Sequence, residues 1–452
     1  VIYTWLACGH TYESVKTLNM AVWDKGPAKM LSRTEAYWRL WATKEPIDLT
    51  PLPEPIRDLY TRSQLILRTQ VDNRGAILAA TDSDVAHYAG DHYAYCWPRD
   101  GALVAHALIL AGQSELSRGF FRYAARVIHK NGYFLHKYTP AGNLASSWHP
   151  WTLDGKPVLP VQQDETALVL WALREHFEAF RDVEFIKPLY NALVVQPAAW
   201  MLEHRDQNGL PKPSWDLWEE RRGIHTFTVA ATIGALVAAA KFARDFGDVD
   251  RAAAFEEGAE RMKAAIQRHL WNPAASRFAR MAIPNETGGG YILDMTRDSA
   301  NFALFAFGAF RAGNPMITAE MRSLHERLWV QTAVGGCARY EKDYFHQVER
   351  VRTDEVAGNP WVICTLWHAQ HAIARAKTLE ELAEAIPPLE WTVGRARPSG
   401  VLAEQFHPYT AQAISVSPLT WSHATVVTTV VQYVRRYHTL LHNGGESDVA
   451  GI

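Results

Sequence analysis

The chain has 452 residues, 48% of them apolar, enough for one large core or two to three average domains. A formal net charge of -2 and a pI near 6.9 argue against nucleic acid or an anionic membrane as partner, and nothing calls for a polyanionic substrate. Four scattered cysteines (Cys8, Cys96, Cys337, Cys364) lack metal-type spacing, which argues against a disulfide framework and a structural zinc and fits a reducing, cytoplasmic setting.

The opening VIYTWLACG has no Met and reads as the interior of a strand, so the sequence is expected to begin inside a larger protein. Amphipathic stretches follow in TYESVKTLNMAVW and TEAYWRLWATK, then a Pro-rich acidic linker over 45–55. From there the 3.6-residue apolar period dominates. Helices are expected at 54–72, 98–112, 114–129, 164–178, 183–205, 225–245, 248–269, 297–312, 316–329, 358–376, 378–393 and 417–438. Every second helix is apolar nearly all round, as in TVAATIGALVAAA and ATVVTTVVQYV, whereas its partners are one-sided, as in ERMKAAIQRHL. A helix apolar on all sides is buried and a one-sided one faces solvent. Six inner and six outer helices in alternation give an all-α fold, an (α/α)6 barrel spanning 51–440 and followed by a tail at 441–452. No apolar run is read as crossing a membrane.

Polar and aromatic clusters lie just before the apolar helices: YAYCWPRD, SSWHPW with VQQDE, PSWDLWEERRG, DMTRDS, VAGNPW, and AEQF with PLTWS. If the inner helices run parallel, all six gather at one mouth, beside helix N-termini with their unpaired N–H groups. The 17 tryptophans fit this picture, since an indole offers both a stacking face and a polar N–H.

DLWEE, 216–220, carries three carboxylates between indoles. A first helical turn also favours acids, but a solvated turn has no need of Trp215 and Trp218. Desolvation and like charge would hold a carboxyl there protonated, as a general acid requires. Glu404 in AEQF is a second, isolated carboxylate, and two carboxylates from distant positions in one pocket suit glycoside hydrolysis. In WPRD, Arg99 and Asp100 place a donor and an acceptor together, as vicinal sugar hydroxyls need, although a local ion pair would give the same pattern. Pro98 marks the helix start. GGG at 288–290 is a connector with no phosphate-binding Lys-Ser/Thr after it, and His368 with His371 is read as packing. The GxSxG, HExxH and dinucleotide signatures are absent from the sequence.

YAYCWPRD, PSWDLWEE, ARYEKDY, GNPWVICTL and LAEQ followed by LTWS resemble, in order, the signature stretches of the inverting glucoamylase family, glycoside hydrolase family 15, over about residues 55–438. SSWHPW and QQDETALVLWAL resemble its prokaryotic branch, in which a β-sandwich and a helical linker precede the barrel; residues 1–50 would then be the end of that sandwich plus the linker. The resemblance implies Glu219 as catalytic acid and Glu404 as catalytic base. It implies Arg99, Asp100 and Arg339 as the clamp on the terminal glucose and Tyr93 beneath the reacting ring. Glu220 and, less directly, Asp216 would border the next sugar, Ser415 would bind the base, and Trp148 would stand near the acid. Trp97, Trp218, Trp361 and Gln405, in the same motifs, complete the substrate-binding set. No cofactor or metal is implied.

The expected reaction is a single displacement at a non-reducing end, releasing β-glucose, with the carboxyls roughly 6.5–9.5 Å apart to admit a water. Maltodextrin ranks first as substrate, isomalto-oligosaccharide or dextran second and trehalose third, with loops near 139–163, 220–224 and 340–357 deciding. The alternatives are a sugar isomerase or epimerase, for which His149 is the main proton carrier on offer, and a non-catalytic carbohydrate-binding protein on the same barrel.

Overall fold

The computed structural model describes residues 1–82, 92–285 and 289–442. Two compact units result, residues 1–47 and the chain from Asp48 onward. In the first, α1 (Tyr12–Lys25) starts at a capping box in which Thr11 and Ser14 exchange side chain–backbone bonds. Gly26, at φ 77°, turns the chain into α2 (Pro27–Thr43), which Pro27 opens. Neither helix buries a residue, and Trp23 and Leu40 stand exposed. The strand expected at Val1–Gly9 is not formed. Nothing among the described residues pairs with its backbone, and an unpaired strand has no ladder to hold it.

The second unit is a closed double ring of helices. In chain order it contains α3 (Glu54–Gln70), α4 (Pro98–Leu110), α5 (Ser114–Val127), α6 (Gln163–Phe180), α7 (Gln196–Glu203), α8 (Thr226–Asp245) and α9 (Val249–His269). There follow α10 (Ala303–Ala306), α11 (Pro315–Leu328), α12 (Val362–Arg375), α13 (Ile386–Val393) and α14 (Thr420–His442). The inner ring runs α4–α6–α8–α10–α12–α14 and closes where α14 packs on α4, with the 3-10 turn Ser299–Phe302 bridging α8 to α12. Outer α9 shows the division of faces, burying Ala252, Phe255, Ala259, Met262 and Ile266 and exposing its charges.

Three helices depart from the expected spans. The stretch 183–205 is broken into Val183–Ile186, a π turn at Asn191–Val195 and α7, with Pro197 in the first turn of the last piece. Pro387 and Pro388, which lack backbone N–H groups, separate α13 from the short turn Leu379–Ala383. The fourth inner helix, expected over 297–312, shrinks to the 3-10 turn plus α10 and ends before Gly308 at φ 77°. Its missing turns leave a cavity of about 1100 Å³ toward the C-terminal ends of the inner helices, lined by Trp171, Phe302, Phe305, Trp367 and Trp421. That cavity holds none of the carboxylates considered below.

One expectation on length is corrected. The 20-residue α8 is apolar enough by composition to cross a membrane, but 89% of its most apolar window is buried within this unit, as the inner ring requires. Of the other sequence features, Gly288 and most of the 441–452 tail (443–452) lie outside the described residues.

The helix N-termini of the inner ring carry two small antiparallel sheets. In one, Ser214–Trp215 and Arg222–His225 form a hairpin extended by Met281–Pro284 and Tyr291–Asp294. In the other, Cys337–Ala338, Pro360–Trp361, Gln405–Phe406 and Ala413–Ile414 lie side by side. Each sheet presents one of the two glutamates.

Candidate active site

Glu219 sits in the 216–221 loop of the first hairpin, not on a helix. Asp216 builds that loop: its Oδ1 accepts from the backbone N–H of Glu220 (2.7 Å) and of Arg221 (2.9 Å), and its carbonyl accepts from Glu219. The turn drives Glu219 to φ 65°, a left-handed conformation that costs a non-glycine residue energy and marks functional turns. Asp216 is therefore a shaper of the loop through Oδ1, while its Oδ2 is buried without a protein partner among the described residues.

The Glu219 carboxyl meets two partners. Arg99 donates to Oε1 at 3.1 Å, and His136 Nε2 lies 2.8 Å from Oε2. Arg99, at the start of α4, is itself crowded by carboxylates: Asp100 at 3.2 Å, Asp164 at 3.4 Å and Glu165 at 3.8 Å, the last two from the start of α6. Burial pushes the Glu219 carboxyl up, but the charge and hydrogen bond of His136, with Arg99 behind them, pull it down to about 2. This corrects the expectation of an acid held protonated by indoles and like charge. Trp218 points elsewhere. Its Nε1 donates to both oxygens of Asp298 at 3.0 and 3.1 Å, and its ring packs on Trp361, Trp367 and Arg339.

Glu404 stands at the edge of the second sheet, its N–H bonded to Val416. Its Oε2 accepts from Gln405 at 3.3 Å, and Gln405 accepts in turn from Asn359 at 2.8 Å. Ser415, at φ 65°, lies beside the carboxylate and favours its charged form, although its hydroxyl stops short of good hydrogen-bond geometry. Burial dominates and raises Glu404 to about 7. That inverts the expected pattern, in which the base was the readily ionised group.

Tyr93 feels both glutamates: its hydroxyl is raised well above its ordinary value by burial and by the charges of Glu404 and Glu219. Arg339 reaches the site from the second sheet, bidentate to Asp343 (2.7 Å twice) and bonded to Glu220 at 2.9 Å. Glu220 also accepts from Tyr340 at 2.5 Å and from Arg221 at 2.7 Å. Trp97 packs between Tyr93 and His136, and Trp148, half exposed, lies edge-on to His136 with centroids 4.8 Å apart. Trp97 Nε1, Asn359 Oδ1 and Trp361 Nε1 are buried with no hydrogen-bond partner among the described residues. Buried polar groups are almost always paired, so this concentration of donors and acceptors in one pocket fits a ligand rich in hydroxyls. The structure thus brings the expected residues into one mouth, with Asp216 and Trp218 turned to structural partners.

Several neighbours escaped the sequence reading. Lys137 is fully buried, its Nζ 3.5 Å above the Trp148 ring and 4.9 Å from the Trp97 ring. His149, read in the sequence only as the proton carrier of an isomerase, stacks on Trp215 (4.5 Å, 3°) and on His136 (4.2 Å, 29°). His136 and Lys137 belong to YFLHKYTP, which has no helical period or signature spacing, so only their contacts reveal them. Donor atoms of His136, His149 and Glu219 lie within 4.8 Å of one another. They are already spent on Ser147, Gln162 and Arg99. The two imidazoles also lie ring on ring, so their lone pairs do not converge as a metal needs. The trio is a hydrogen-bonded cluster.

Residues 54–431 match the family model for glycosyl hydrolases family 15. The chain belongs to glycosyl hydrolase family 15. It is similar to an uncharacterized glycosyl hydrolase of Methanocaldococcus jannaschii, 25% identical over 380 residues, which are 82% of this chain and 55% of that protein. A glucoamylase of Clostridium sp. is 26% identical over 399 residues, 82% of this chain and 52% of its own length. The chain therefore spans about half the length of these relatives. Among solved folds, a bacterial glucoamylase complexed with acarbose superposes with a TM-score of 0.72 at 20% identity, over 95% of this chain and 62% of that one. The glucoamylase from Saccharomycopsis fibuligera gives 0.66 at 16% identity, over 84% and 95%. The barrel is thus the family-15 fold, and the (α/α)6 expectation holds.

Proposed function

We propose that this family-15 chain is an exo-acting, inverting α-glucoside hydrolase in which Glu219 protonates the leaving oxygen and Glu404 takes the proton of an attacking water. One observation carries the reading: two buried glutamates, on separate sheets at one mouth, bond to different partners and share Tyr93 as neighbour. Carboxyls that do not touch suit a displacement with a water between them. Each has an arginine at hand for sugar hydroxyls, Arg99 beside Glu219 and Arg339 near Glu404. Trp218 packs on Trp361 and Trp367, and Trp367 stacks on Phe302, an aromatic cluster inside the inner ring that suits a blind site taking a chain end.

Under this reading α-linked gluco-oligosaccharides are the substrates, maltodextrin first, then isomalto-oligosaccharide or dextran, then trehalose. Arg221 and Tyr344, paired as cation and ring at the edge of Glu220, would border the next sugar. Proton NMR of a maltotriose digest tests the mechanism. Early accumulation of β-glucose is expected, and Glu404→Gln should lose nearly all turnover while still binding substrate. Initial release of α-glucose would refute the inverting assignment.

A further inference from the structure

Resting on the hydrolase reading, we infer that Glu219 does not hold the catalytic proton alone: His136 is its positioning residue, and the pair acts as one acid unit inside a closed ring of hydrogen bonds. The ring runs from Glu219 to His136 (2.8 Å), to Ser147 (2.9 Å), to the backbone of His149 (3.1 Å), through His149 Nε2 to Gln162 (2.9 Å), to Arg99, and back to Glu219 (3.1 Å). Its members come from the 133–150 loop, the starts of α4 and α6, and the 216–221 turn, so the fold closes it.

The ring orders the protons on its nitrogens. Gln162 Oε1 accepts from Arg99, so its amide nitrogen must donate to His149 Nε2. His149 is thereby a neutral acceptor, and burial pushes its pKa down to about 3. Ser147 accepts the His149 N–H at 3.1 Å, and with its own proton turned to the His149 carbonyl at 3.5 Å its oxygen is left to accept from His136 Nδ1. In that arrangement His136 keeps a proton on Nδ1, and its Nε2, 2.8 Å from Glu219 Oε2, is the site that trades a proton with the carboxyl. Two states with the same proton count follow: carboxylate with imidazolium, or carboxylic acid with neutral imidazole. A carboxyl that loses its proton near pH 2 could not serve near neutrality by itself. A carboxyl that shares a proton with an imidazole in direct hydrogen-bond contact can.

In the step itself, the Glu219 O–H bond breaks as the glycosidic oxygen gains that proton and the bond to the sugar carbon is cut. The pair is left with one proton, on His136 Nδ1, and net charge -1. Glu404 receives the water's proton, and after product leaves it releases that proton to solvent while the pair regains its own, so no net proton is consumed. Arg99, Asp100, Asp164 and Glu165 face the pair from the starts of α4 and α6. Lys137, His149 and Tyr93 add their fields from the surrounding loops.

The test compares two leaving groups in wild type and His136→Gln, which keeps an N–H toward Glu219 but cannot exchange a proton. Maltose needs its leaving oxygen protonated, whereas the fluoride of α-D-glucosyl fluoride leaves with little help. We expect kcat on maltose to fall on the order of 100-fold, kcat on the fluoride to fall at least ten times less, and the alkaline limb of the maltose profile to move to lower pH. Equal losses on both substrates, or an unmoved limb, would mean that His136 is only structural and would overturn the inference. Wild type inert toward both substrates would overturn the hydrolase reading, and this inference with it. Should the variant fail to fold, spectra of ¹⁵N-histidine-labelled wild type decide: in the neutral ring of His136 the proton must sit on Nδ1, and a neutral ring protonated on Nε2 would sink the idea.

Discussion

Replacing Glu404 by Gln separates what a buried carboxyl does for catalysis from what it costs the fold. In the native protein this group is buried, and its pKa is raised from 4.5 to about 7. At roughly 1.4 kcal/mol per pKa unit, ionising it in place costs about 3 kcal/mol. The sign follows from proton counting. Between pH 4.5 and 7 the folded state binds more protons at this site than the unfolded chain, so stability falls as pH rises. The contribution is fully present below 4.5 and fully lost above 7. Glutamine keeps the shape and never ionises. The variant should match wild type at pH 4 and exceed it by about 3 kcal/mol at pH 8. With an unfolding entropy of about 2.1 cal/mol/K per residue, that is ~4 °C in Tm for a barrel of this length. Melting curves of both proteins at one scan rate from pH 4 to 8.5 give the difference directly, because Tyr93, the tyrosine raised by the Glu404 charge, titrates well above this range. A gap that does not change with pH, or a variant less stable at pH 8, would refute the burial argument.

The same raised carboxyl predicts that kcat/KM rises with pH through a limb near 7, since the base must be ionised to accept the water's proton; a pH profile on maltose in which that limb lies near 4 would contradict it. Arg339→Lys keeps the charge but loses the two-pronged bond to Asp343 and the stacking on Trp361. It should lower kcat/KM at least about tenfold, given that Arg and Lys are not interchangeable at bidentate sites, as steady-state kinetics will show. Gly234 in α8 faces the Phe307 backbone so closely that a Cβ would meet its carbonyl oxygen at 2.7 Å. Gly234→Ala should therefore destabilise by about 1–2 kcal/mol despite alanine's better helix propensity, and an unchanged or raised Tm would show that α10 yields freely.

The helices and their sorting into two rings were legible in the sequence because burial imposes a period on side chains that no tertiary detail can erase. The positions of Glu219, Glu404, Arg99 and Arg339 were legible because they sit in compact motifs at helix approaches. What the sequence could not convey is the charge state of the site. That depends on distances between residues far apart in the chain: His136 and Glu219 are 83 positions apart, Arg99 and Glu219 are 120. Coulomb energy falls with separation in space and is blind to separation along the backbone. The local acids and indoles of DLWEE therefore pointed to a protonated Glu219, and a histidine from another loop reversed the sign. Trp218 and Asp216 likewise found structural partners that no window of sequence contains. The short fourth inner helix belongs to the same class, since NFALFAFGAF has the apolar character of a full helix and only the turn at Gly308 stops it. Composition and periodicity determined the barrel, while folding alone decided which of its carboxyls keeps a proton, because that is set by what surrounds each one in three dimensions.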